Sequence, residues 1–86
     1  MEITSVNIKR VEGHGDLVAF ADIVINGELT IKGFRVMKSN SKLWVGVPQN
    51  KYEVGGKPRY ADIVETSEKL KQKIQQAILL AYEDNQ

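Results

Sequence analysis

The sequence has no cysteine and one histidine in its 86 residues. Without cysteine there is no disulfide framework and no thiolate metal site, which fits a reducing compartment. No apolar run approaches the ~18 residues that a membrane-spanning helix needs. Charge of one sign is also scarce, since 12 Lys and Arg against 11 Asp and Glu leave a net +1. A blanket basic field is therefore excluded, and any nucleic-acid binding must come from a local patch. Met1 leads straight into Glu2 and an alternating pattern, so no signal peptide is expected. The expectation is a soluble, cytoplasmic protein with no membrane partner. The length implies a single domain, 1–86, with a modest core that oligomerisation would support.

What is present is a run of strand patterns followed by one helix pattern. Residues 2–11 alternate, with Ile3, Val6, Ile8 and Val11 apolar, and read as a half-buried strand. Gly13, His14, Gly15 and Asp16 form a turn signal. Residues 17–25 read as a second strand with apolar residues on both faces, which suggests partial cover on each side. Asn26-Gly27 tolerates the two positive φ values of a type I′ turn and predicts a two-residue hairpin. The third strand, 28–37, changes apolar register from Leu29 and Ile31 to Phe34 and Val36. A bulge at Lys32-Gly33 explains that slip. Ser39, Asn40 and Ser41 mark a turn, and 43–47 a fourth strand. Residues 49–58 read as an irregular loop with Gly55-Gly56 at its tip, and 59–64 as a fifth strand.

Thr66 or Ser67 offers a side-chain oxygen to cap a helix that runs to about Asp84. Leu70, Ile74, Ala77, Ile78 and Ala81 recur with helical spacing and should face the sheet. Leu79, Leu80 and Tyr82 exceed what one core stripe needs and hint at a subunit contact. The architecture is α+β: an antiparallel meander of about five strands with one C-terminal helix packed on the sheet.

Chemistry is sparse. His14 lies between two glycines, where a solvated turn is expected, and no spacing supplies it with a nucleophile and an orienting group. No catalytic residue is assigned. Asp16, Asp22, Glu28, Asp62 and Glu65 are spread along the chain without a metal-ligand spacing. Neither glycine pair opens a helix with phosphate-loop spacing. No metal, cofactor or small-molecule substrate is expected.

The remaining set is cationic. Lys51, Lys57 and Arg59 lie on the 49–58 loop and its return strand, and Lys69, Lys71 and Lys73 in the first half of the helix. Lysine at a helix N-terminus opposes the macrodipole, so stability does not account for that placement. A loop folded over the helix start would merge these groups into one patch for a phosphate backbone. Tyr52, Tyr60 and Trp44 are interleaved and could stack on bases. The competing account is a solvated lysine face, with Trp44 in the core.

Taken in order, these residues resemble the stage V sporulation protein G family of small bacterial septation proteins. The likeness covers nearly the whole chain. It includes Met1 to Thr4 at the start, Arg10-Val11 closing the first strand, and Arg35-Val36-Met37 closing the third. It continues through Leu43-Trp44-Val45 with Pro48 following, then Tyr60 with Asp62-Ile63, and then Ile74-Gln75-Gln76-Ala77-Ile78-Leu79 with Tyr82. The resemblance implies a non-enzymatic DNA- and RNA-binding regulator, associated as a homodimer and linked to septation, sporulation and gene control. By position it points to the loop after Pro48 and the helix start. Two features depart from the family pattern. Gln49-Asn50-Lys51 stands where Ser and two basic residues are usual, and Val64-Glu65-Thr66 replaces a His-Pro. The leading expectation is thus a nucleic-acid-binding homodimer. The alternative is a protein-interaction module of the same fold that has lost nucleic-acid binding.

Overall fold

The alternating first half of the chain folds into four adjacent antiparallel strands. A computed structural model describes residues 1–84. In it β1 (Ile3–Arg10), β2 (Leu17–Ile25), β3 (Leu29–Ser39) and β4 (Lys42–Gly46) neighbour one another in chain order. A separate two-stranded ribbon follows, β5 (Gln49–Val54) and β6 (Lys57–Asp62), and then α1 (Glu68–Asp84). The α+β class and the C-terminal helix agree with the sequence pattern. The described residues form six strands where the sequence pattern marks about five.

The difference lies at residues 49–58, which form a hairpin instead of an irregular loop. Gly55 and Gly56 take φ values of 59° and 79°, the two positive angles of a tight hairpin turn. Val54 then pairs with Lys57, Tyr52 with Arg59 and Lys51 with Tyr60. Every residue from 49 to 62 is exposed, so no hydrophobic alternation betrays these strands. They are held by their ladder, with Lys51 opposite Tyr60 and Tyr52 opposite Arg59.

Turn chemistry sets the register elsewhere. Asn26 and Gly27 have φ of 53° and 67°, and the Glu28 N–H closes the turn on the Ile25 carbonyl at 3.0 Å. Ile25 pairs with Leu29, so three residues rather than two separate the strands. Thr4 and Asn26 sew β1 to this turn: Thr4 Oγ1 accepts from the Gly27 N–H at 3.0 Å and Asn26 Oδ1 from the Glu2 N–H at 3.0 Å. Two-residue hairpins are instead at Asn40-Ser41, where Ser39 pairs with Lys42, and at Gly55-Gly56. The bulge falls where the register slip indicated, since Ala21 pairs with Phe34 but Ile23 with Ile31. Gly33 has φ of 92°, and its N–H donates to Asp22 Oδ1 at 3.3 Å.

The core lies between one sheet face and α1. Ala19, Ala21, Ile23 and Ile25 of β2, Phe34 and Val36 of β3 and Val45 of β4 are buried against Ile74, Ile78 and Tyr82. Full burial of a side chain such as Ile78 stabilises the fold by about 1.5–3 kcal/mol. Tyr82, expected with the surplus apolar residues, belongs to this core. Arg10 lies 4.1 Å from the centre of its ring and donates from Nη2 to its carbonyl at 2.7 Å, joining β1 to the last helical turn. Ser67 is the cap, accepting from the Leu70 N–H at 3.2 Å. Glu68 in the first turn complements the helix dipole.

Candidate nucleic-acid interface

Two regions stand clear of the core: the ribbon and the sheet face opposite α1. The ribbon makes the molecule long. Its principal extents are 41 × 27 × 20 Å and its radius of gyration is 13.6 Å, against about 12 Å for a compact chain of this length. Three contacts fix the ribbon's base. The Ile63 N–H donates to the Pro48 carbonyl at 2.8 Å, and Gln49 Nε2 to Asp62 Oδ1 at 2.8 Å. Arg35 Nη2 reaches the Val47 carbonyl at 3.5 Å. Pro48 is buried and sits beside the bulge, 3.8 Å from where a Cβ on Gly33 would stand. The bulge that re-registers β3 thus also seats the arm.

Strand pairing sorts the ribbon's side chains. Lys51 and Tyr60 are partners on one face, and Tyr52 and Arg59 on the other, with Val54 paired to Lys57 two residues along. The second face carries Lys57, Arg59 and Tyr52 together. The first turns toward the open sheet face. There a cleft of about 390 Å³ is lined by Phe20, Lys32, Arg35, Lys51 and Tyr60, among others.

Arg35 also borders a second cleft of about 490 Å³, whose wall includes Asp62, Glu65, Glu68 and Lys71. Its guanidinium lies across Gly46, where a Cβ would come within 2.5 Å of Nη2. Its Nε is buried and makes no hydrogen bond among the described residues.

The six cations singled out from the sequence are all exposed, but they face different surroundings. Lys51 lines the cleft with Phe20 and Tyr60, Lys71 lines the acidic one, and Lys69 and Lys73 line a third depression with Met1 and Ser67. Lys57 and Arg59 are out along the arm. Helix α1 makes its main contacts with β1, β2 and β4, while the arm extends as a ribbon of its own. Trp44 is not in the core. It pairs with Met37 on the open face and is 44% exposed. Sequence reasoning missed Phe20, Lys32 and Arg35 as site residues. The available signal was the apolar even positions of β2 beside the glycine bulge. No three His, Asp or Glu side chains among the described residues converge as metal ligands. Among the described residues no helix is long and apolar enough to cross a membrane.

A small α+β protein with one helix on a four-stranded meander and a projecting ribbon is the class this geometry defines. Residues 1–84 match the SpoVG family model, and the chain belongs to the SpoVG family. It is 38% identical over 84 residues to "Putative septation protein SpoVG 1" of Listeria monocytogenes serotype 4b (strain F2365), covering 96% of this chain and 79% of that protein. A septation protein SpoVG of the same style of name in Archaeoglobus fulgidus is 30% identical over 86 residues, covering 99% and 98%. Its counterpart in Symbiobacterium thermophilum is 32% identical over 84 residues, covering 96% of this chain and 58% of that protein.

Proposed function

We propose that this protein is a nucleic-acid-binding regulator that acts as a homodimer, with a role in septation or sporulation through gene control. The observation that carries this reading is the arm. A two-stranded ribbon with no buried side chain adds nothing to a core, and isolated hairpins are marginal in water. This one is anchored at its base and presents Lys57, Arg59 and Tyr52 on one face. A ribbon of that width fits the major groove, and lysine and arginine on it release counterions from phosphates. Lys69 and Lys73 add a second cationic surface at the helix start. Self-association is supported by the small core, by β4 standing at the sheet edge and by Leu80, 63% exposed on α1.

A gel shift with random duplex and single-stranded pools at ~50 mM salt tests the binding. Changing Lys57, Arg59, Lys69 and Lys73 together to glutamine is expected to abolish duplex retention and flatten the salt dependence. Unchanged retention would reject the arm and helix start as the contact. Self-association is tested by dilution: an obligate dimer melts at lower temperature as protein concentration falls. A midpoint constant over a hundredfold range would reject it.

The protein-interaction reading also has an observation in its favour. The cleft at the arm's base is walled by Asp62, Glu65 and Glu68, which repel a polyanion. The absence of any shift at micromolar protein would favour that reading.

A further inference from the structure

We propose that the cleft between the open sheet face and the inner face of the arm takes one unstacked nucleotide of a single-stranded nucleic acid. The proposal rests on the nucleic-acid reading and names the ligand of a part of the molecule that reading did not use. Phe20 stands on β2 with 37% of its surface exposed, and Tyr60 stands on the arm with 59% exposed. Both line the same cleft of about 390 Å³. That volume is in the range of small-ligand sites. Lys32, Arg35 and Lys51 share its wall, and no aspartate or glutamate does.

The pairing places these residues by backbone geometry rather than by flexible tails. Phe20 pairs with Arg35 across β2 and β3, and Tyr60 with Lys51 across the ribbon. Each aromatic therefore has a cation as its direct neighbour. A planar base against an aromatic side chain with a phosphate at an adjacent cation is how sequence-tolerant strand binding works. An open antiparallel sheet face with exposed aromatics offers the same kind of platform. A duplex keeps its bases stacked inside and cannot deliver one here, so the cleft selects for single strands. The outer arm face, with Lys57 and Arg59, is indifferent to that distinction.

The test compares a twelve-nucleotide oligothymidylate with a duplex of equal length, by fluorescence anisotropy at fixed low salt. The variant is Phe20→Leu with Lys32→Gln, which keeps β2 apolar at that position; circular dichroism confirms that it folds. Single-strand affinity is expected to fall about tenfold, the scale of one lost base stack, with duplex affinity unchanged. Tyr60→Ala is expected to do the same, which keeps the idea testable if the double variant fails to fold. Equal losses on both ligands, or no loss on the single strand, would overturn the cleft, and neither would reject the outer face of the arm as a duplex contact. No binding of the unaltered protein to either ligand would overturn both readings. Thymidine monophosphate competing as well as the oligonucleotide would assign the site to a free nucleotide and overturn the strand. A shift from dimer to monomer on sedimentation of the Phe20 variant would make this face a contact between copies, and would overturn the proposal as well.

Discussion

The sheet with its helix and the arm are built from the same chain by opposite rules. In the sheet, side chains alternate between a buried face and an exposed one, and Ile23, Phe34, Val36 and Ile78 are essentially inaccessible. In the arm no side chain is buried. The sheet is specified by apolar contacts, and its register by which face must be hidden. The arm is specified by a Gly-Gly turn, by the Gln49–Asp62 and Ile63–Pro48 bonds that close its base, and by the bond from Arg35 to the Val47 carbonyl. Residues in the first region are bound by packing. Those in the second are free to be chosen for what they touch outside the molecule.

That contrast is breakable in three places. The largest effect is expected inside the core. Ile78→Ala should lower unfolding stability by about 2–5 kcal/mol, measured by urea denaturation. A loss below ~1 kcal/mol would mean that α1 is not docked as described. The next is the joint between the regions. Gly46→Ala displaces the end of the Arg35 side chain, at a cost of about 0.5–1.5 kcal/mol, the scale of the one hydrogen bond lost. Amide exchange in β5 and β6 should quicken with it, because the tie to Val47 is lost. Unchanged exchange would show that the arm does not depend on Arg35. The smallest belongs to the arm itself. Lys57→Gln with Arg59→Gln should leave stability within about 0.5 kcal/mol, even as duplex binding weakens. A larger change would mean that the ribbon supports the fold, and the two regions would no longer be separable.

The same contrast explains what the sequence made legible. Alternation in β1, the Asn26-Gly27 turn, the bulge at Gly33 and the Ser67 cap are local signals, and each lies where the sequence marks it, though that turn separates its strands by three residues rather than two. The arm carried no such pattern, because strands exposed on both faces need no period of two. Only Gly55-Gly56 marked it, and a glycine pair fits a loop tip equally well. Trp44 reads two ways for a related reason: a large aromatic in a short apolar run fits the core or an open face equally until α1 covers one side, and it is 44% exposed. The cationic residues were legible as residues, not as a single surface. Lys51, Lys69 and Lys71 lie on elements that the fold directs to three separate clefts. The cleft beside Phe20 unites residues 20, 32, 51 and 60, a grouping that only the seating of Pro48 against the bulge creates.

The contact between Arg10 and Tyr82 spans 72 positions of the chain, whereas the strands of each sheet join their neighbours through short connections. Closing that span carries a large loop entropy. The meander can form hairpin by hairpin, but its oily side stays bare until residues 74–82 have been synthesised. On a ribosome, that interval is when the nascent chain is most prone to stick to its neighbours.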